Sequence, residues 1–351
     1  MTFGARMLKT GIAVTLSLYV SAWLHFTPPM IAAVAAIFAL QPSIYRSWKH
    51  FLEQVQANTL GAVIALLAGT YLSKEPIAIG VVCILVIMIC LKIKMGDSIG
   101  LTLVTVVAVM EASGQWEFAL NRFLLSMIGI LSAFVVNIAF IPPDPRKQFN
   151  AQIHAVFNQL SLLLRTAISD EMKEKVFREQ KQELEDGLHS LSDKYKLLEE
   201  ELNKLKQAKY RRTRQIVVYK QLLHSLHKGF EVLEAVQQHY FQSERTPDIN
   251  ASFDRHLEKL IKFNEHVLLK LEDKVKPESW NSASVEEAND TFMKHATNGC
   301  NADRDGSFRL FIVAAAIYDY GYQTVRLDRL VEHLDKEDQE PEAGNTHPKE
   351  N

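Results

Sequence analysis

"NRFLLSMIGILSAFVVNIAFIPPDPRKQF", residues 121–149, carries one arginine at the start of an apolar run, one asparagine inside it and three prolines at its end. After those prolines the chain turns polar. The run from Phe118 to Ile141 is long enough for a helix that crosses hydrocarbon, which takes about 20 residues. Pro142, Pro143 and Pro145 stop that helix, because proline has no N–H to donate and clashes with the preceding turn. The charges divide at the same place. Residues 1–143 hold 8 Lys/Arg and 5 Asp/Glu, and the other 208 residues hold 31 and 36. A uniform soluble chain spreads its charges, so the split reads as two regions in two solvents, lipid first and water second.

Upstream of Phe118 the apolar stretches run Gly11–Phe26, Pro28–Leu40, Thr59–Leu72, Ile77–Leu91 and Ser98–Met110. Six buried core helices of a soluble protein are the alternative, but no long amphipathic partners lie between them to cover their outer faces. The expectation is therefore six short or tilted crossings. Basic residues in short loops orient them. Arg6 with Lys9, Arg46 with Lys49, Lys92 with Lys94, and Arg146 with Lys147 all fall on one side, and the alternate loops are poor in positive charge. Both termini are expected in the cytoplasm, in a multi-pass protein of the cell membrane. "YRSWKHFLEQVQ" reads as an amphipathic approach to the third span, with Trp48 and Phe51 in the interface.

Polar residues inside the spans are the candidates for function. Arg122 lies 19 residues before Ile141, about 28 Å along a helix, so it sits near the outer edge. There it either snorkels to headgroups or attracts an anion. Asn137 lies nearer the cytoplasmic end and either bonds a neighbouring helix or lines a pathway. Lys9 marks the cytoplasmic end of the first span. Gln41, Asn58 and Thr59 flank the second and third, where each can solvate a substrate or bond a neighbouring helix. Gly129 and Ala133 form a small-xxx-small pair that permits close helix approach. Cys83 and Cys90, seven residues apart, read as packing residues, and with Cys300 they make neither a disulfide framework nor a metal set.

"ARMLKTGIAVTLSLYVSAWL", "IAAVAAIFALQPSIYRSW", "ANTLGAVIALLAGT" and "NRFLLSMIGILSAFVVNIAFIPP" together resemble the membrane module of the aromatic acid exporter family. That family is distantly similar to fusaric acid resistance proteins and plant malate channels. The resemblance covers about residues 5–145, and the later helical region resembles the cytoplasmic domain of bacterial members. The family's sixth-span pattern falls on Arg122, Gly129, Ala133, Val136-Asn137 and Pro142-Pro143, and its first-span lysine on Lys9. Many relatives carry Arg-x-x-Gly-Thr-x-x-Gly entering the third span. This chain departs from that pattern, with Gln54 for the arginine, Ala57 for the first glycine and Asn58 for the threonine. Only Gly61 keeps register. The resemblance implies export of small organic, aromatic carboxylate-like anions.

The second half carries a heptad seam, Leu184, Leu188, Leu191, Tyr195, Leu198, Leu202 and Leu205, and a second set, Tyr219, Leu223, Leu226, Phe230 and Leu233. Such spacing predicts coiled-coil-like helices, either one long helix or an antiparallel hairpin. Further helices fit 251–271 and 309–334, with 274–284 as a loop. The expected fold class is all-α: a six-helix transmembrane domain over 1–143, a cytoplasmic helical bundle over 144–335, and a disordered acidic tail over 336–351. His224 and His227 have no carboxylate or cysteine at metal spacing beside them, and Lys209, Arg211, Arg212 and Arg214 read mainly as a solvated face. No phosphate-cradling Gly-x-x-x-x-Gly-Lys-[Ser/Thr], kinase lobe or hydrolase elbow occurs. These readings give no enzyme, no cofactor, no metal and no nucleic-acid partner. The partners expected are the anion, membrane lipid and a second copy in a homodimer. The rival from another class is a membrane-anchored scaffold or sensor acting through its bundle without transport.

Overall fold

The computed structural model describes residues 4–40, 44–71, 75–111, 116–139, 145–169, 173–204, 209–240, 242–243, 247–275, 281–299 and 307–338. Every regular element among them is helical. The chain separates into two units, Met1–Asp144 and Pro145–Asn351.

The first unit holds α1 (Ala5–Trp23), α2 (Met30–Ala39), α3 (Ile44–Tyr71), α4 (Pro76–Lys92), α5 (Ile99–Glu111) and α6 (Trp116–Ala139). One helix answers each expected apolar stretch. By length and composition, α3 over Arg46–Tyr71 and α6 are apolar enough to cross a membrane. At 10, 17 and 13 residues, α2, α4 and α5 are shorter than the usual span. Proline starts α4 at its first helical position, where the missing N–H costs nothing. His25 and Lys94 close α1 and α4 in the left-handed region, at φ 58° and 63°. The amides that follow turn back, Phe26 N–H to the Ser21 carbonyl and Met95 N–H to the Cys90 carbonyl.

Small residues set the packing here. Ala32, Ala35 and Ala36 lie on the buried face of α2, and Ala32 and Ala35 meet Gly129 on α6. A Cβ on Gly129 would stand 2.2 Å from the Ala32 carbonyl oxygen, so only glycine permits this approach. Ala133, fully buried one turn on, continues the contact surface. On α3, Gly61 lies against Thr102 and Val106 of α5. The outer surface of the unit is apolar, with Ile77, Val81, Ile84, Leu85 and Met88 exposed along α4 alone. The expected interfacial approach is not a separate element. It is the first half of α3, and Trp48 and Phe51 stack there at 5.6 Å while both rings lean on Phe134 of α6.

The second unit is a bundle of α7 (Pro145–Ser169), α8 (Glu174–Lys204), α9 (Lys209–Ala235), α10 (Pro247–Leu271), α11 (Ser282–Gly299) and α12 (Ser307–Asp338). α8 and α9 are antiparallel. Lys181, near the start of α8, reaches Glu234 at 3.5 Å and Gln237 at 2.9 Å beyond the middle of α9. The heptad leucines do not stand free for a second chain: Leu184, Leu188, Leu191 and Leu198 are buried in one core with α7 and α9. Leu205 lies outside the described residues. A five-residue π-turn, Val236–Tyr240, extends α9 and buries both its end residues, and the Tyr240 hydroxyl donates to Asn250 at 2.8 Å.

Two expectations need correction. The loop over 274–284 ends early, because α11 begins at Ser282; with Val285 and Phe292 as its buried apolar residues, its apolar pattern is thin. Residues 336–338, expected in the tail, belong to α12, which continues to Asp338. Residues 339–351 lie outside the described residues.

Candidate functional site

Three helices of the first unit bring one polar side chain each to a single point. The Lys9 ammonium on α1 donates to Asn137 Oδ1 on α6 at 2.9 Å. Asn137 Nδ2 in turn donates to Ser47 Oγ on α3 at 2.7 Å. All three are buried, at 7%, 2% and 4% exposure. Lys9 and Asn137 are 128 residues apart in the chain. Among the buried described residues of this unit, Lys9 is the sole Lys, Arg, Asp or Glu. An ammonium has three N–H donors, and the described bonds of Lys9 engage a neutral amide and no carboxylate. A buried cation without an opposite charge is unfavourable in hydrocarbon, and it is complementary to an anion.

The polar line continues along α3. Ser47, Gln54, Asn58, Gly61 and Ala65 recur at helical spacing on one buried face. Asn58 Oδ1 accepts a long bond from Thr105 of α5, at 3.4 Å. Gln54 Nε2, Asn58 Nδ2 and Ser98 Oγ are buried without a partner. His50 shares this side of the helix at 6% exposure. Other hydroxyls are satisfied within their own helices, as Ser21 is by the Ser17 carbonyl and Thr102 by the Ser98 carbonyl. That is the usual way for such groups to live among apolar neighbours.

Of the residues singled out from sequence, the structure joins Lys9 directly to Asn137 and puts Asn58 on the same seam. Thr59 faces outward and donates to its own Val55 carbonyl at 2.7 Å. Arg122 is half-buried on α6 with Nε unpartnered, 15 residues before Asn137 and so about 22 Å from it along the helix. Beside it, Asn121 Nδ2 donates to the Thr27 carbonyl at 2.7 Å. Gln41 lies outside the described residues. Ser47, Gln54 and His50 belong to the seam but were not candidates. Their signal was the α3 periodicity, polar residues at 47, 50, 54 and 58 with small residues at 61 and 65. Among the described residues no group of three or more His, Cys, Asp or Glu side chains could hold a metal ion.

The described elements are all helical, and the first unit wraps an apolar exterior around a polar seam, as membrane proteins do. Residues 1–140 match the family described as aromatic acid exporter family member 1. The UPF0421 protein YgaE of Bacillus subtilis (strain 168) is 30% identical over 341 residues, which is 94% of this chain and 95% of that protein. The UPF0421 protein OB2406 of Oceanobacillus iheyensis is 28% identical over 160 residues, 45% of this chain and 46% of its own length. A UPF0421 protein of Bacillus thuringiensis (strain Al Hakam) is 25% identical over 179 residues, half of each chain. The chain belongs to the aromatic acid exporter family. That is a family of exporters and not of enzymes.

Proposed function

We propose that the protein exports small organic anions of the aromatic carboxylate class across the cell membrane. The observation that carries this reading is Lys9, a buried cation with no described carboxylate beside it, held in place by Asn137. In the proposal the first unit crosses the bilayer six times with both termini in the cytoplasm. Its basic residues flank the crossings on that side, and Lys9 and Asn137 lie near the same end of α1 and α6. The anion enters at Lys9 and leaves past Arg122, and Asn58 lies on the route. Moving one negative charge outward is worth about 2.3 kcal/mol per 100 mV of membrane potential, so the gradient itself can drive exit. The second unit is cytoplasmic in this reading, and the protein works as a homodimer.

Efflux of labelled benzoate from proteoliposomes containing the full chain is the test, under an imposed potential. Lys9→Gln keeps a hydrogen-bonding group at the site and removes the charge; the expected result is flux in the wild type and its loss in this variant. An absence of flux at every potential overturns the proposal in favour of the scaffold or sensor. Crosslinking in the native membrane that yields only monomers removes the homodimer.

A further inference from the structure

Gln54 is 1% exposed, and none of the described hydrogen bonds involves it. Asn58, one turn further on, is fully buried. Its oxygen takes the single long bond from Thr105, and its Nδ2 has no partner. Two primary amides on one face of α3, about 6 Å apart along the axis, therefore hold unused N–H donors inside the first unit. This differs from the Lys9–Asn137–Ser47 point, where each polar group is matched to its neighbour. A buried amide with no partner bears its whole desolvation cost, and an apolar side chain of the same size would stabilise the helix contact better. Packing does not account for two such groups in succession. A visiting ligand with acceptor atoms does. Because Gln54 Nε2 has no partner, it is able to turn its NH2 toward such a ligand.

We infer that Gln54 and Asn58 form a neutral binding station for the carboxylate of a singly charged organic anion, deeper along α3 than the Lys9 point. From Ser47, the helix rise puts them about 10 and 16 Å further along. That separation exceeds the reach of one small aromatic acid, so the station is a second stop and not another side of the first. Amide N–H groups give a carboxylate charge-assisted hydrogen bonds without a second cation. Neutral donors hold the anion less firmly than a cation would, and a conducting path needs stations that also release. The charge of the ligand follows from the same count. With Lys9 as the sole Lys, Arg, Asp or Glu among the buried described residues of this unit, a monoanion is matched and a dianion brings one charge that no second cation among those residues opposes.

The inference deepens the exporter reading, but its test reads binding separately from flux. The full chain in detergent is titrated with benzoate and with phthalate at pH 8. Wild type is expected to prefer benzoate. Gln54→Leu is expected to weaken benzoate binding by roughly 10- to 100-fold, the loss of one hydrogen bond to an anion, without lowering the thermal midpoint. Gln54→Lys is expected to shift preference toward phthalate by at least about tenfold, since it supplies the second charge. Asn58→Leu gives an independent measure if the first variant fails to fold. Unchanged benzoate binding in a folded Leu variant means that the amides face only water, and it overturns the station. Wild type that binds neither probe, or phthalate as well as benzoate, overturns it too. Flux that persists with unaltered binding in Gln54→Leu removes the station and leaves the exporter. Gln54-dependent binding without any flux does the reverse.

Discussion

Among the described residues, twenty-eight large apolar side chains stand exposed on the first unit and six on the second. The ion pairs divide the other way. Lys49–Glu53 is the described pair of the first unit, and all the others lie in the second. The second unit follows the rule for a protein in water: one apolar core, with charges outside or paired, as Lys270 is with Asp328 at 2.8 Å and Glu332 at 3.0 Å. The first unit inverts it, with apolar side chains outward and the Lys9, Gln54 and Asn58 seam inward. The difference teaches that burial means a different thing in each unit. In the second it removes apolar area from water. In the first the outside is already apolar, so helices gain by close fit and by hydrogen bonds between them.

The sharpest way to break that comparison is to disturb each unit where it is strongest. Phe263→Ala empties a fully buried site in the second core and is expected to cost about 3–5 kcal/mol, read as lost protease resistance of that region. Ile84→Arg puts a charge on the exposed face of α4, where Ile84 is 59% exposed, and is expected to cost about 2.5–3.5 kcal/mol at mid-span. The fall in membrane-inserted protein measures it. Its control is Leu162→Arg, at a residue of similar exposure, 48%, in the second unit, with an expected effect within about 0.5 kcal/mol. Equal outcomes for the two arginines would erase the contrast between the exteriors.

A smaller effect is expected at the helix contact. Gly129→Ala forces α2 and α6 apart because the new Cβ meets backbone, the Ala32 carbonyl. Overpacking of this kind costs about 1–3 kcal/mol, visible as a lower melting point in detergent. Gly61→Ala meets the side chains of Thr102 and Val106 instead, and these can shift, so its loss should be the lesser of the two.

The smallest effect is a pH dependence confined to the second unit. Burial pushes the His256 imidazole below its usual value; the bond to Asn289 acts upward and nearby Lys259 downward. The unfolded chain therefore takes up this proton more readily than the folded one. The contribution is complete above the ordinary value of 6.5 and is lost as pH falls below it. His256→Gln should flatten that acid-side slope by up to about 1.4 kcal/mol per pH unit, measured by denaturant unfolding between pH 7 and 5. An unchanged slope would mean that the imidazole takes up its proton as readily in its stack on Phe292 as in the unfolded chain.

The sequence made the apolar helices and the division near Pro143 readable because long apolar runs and charge counts are local signals. The α8–α9 arrangement was not readable, since the same heptads fit one helix or a hairpin, and cross-chain contacts such as Lys181 with Gln237 decide it. α11 escaped because Ser282–Gly299 buries little apolar surface and holds its place partly through polar contacts. Asn289 engages His256 at 2.9 Å and the Tyr318 carbonyl at 2.9 Å. At the site, Lys9 and Asn137 were legible one by one as polar residues in apolar runs. Their pairing was not, being a contact between the first helix and the sixth. Gln54 read as a missing arginine until its burial gave it a place.

The π-turn at Val236–Tyr240 gives the second unit a tolerance in length. A π-turn holds one more residue than the α-helical path between the same two points, and both of its anchors, Val236 and Tyr240, reach the core. The surplus can be excised at Gln238, which is exposed, leaving Gln237 for Lys181 and Tyr240 for Asn250. The helix would then rewind to ordinary pitch with its tyrosine delivered to the same berth, whereas the same deletion one turn upstream would throw every later side chain out of phase.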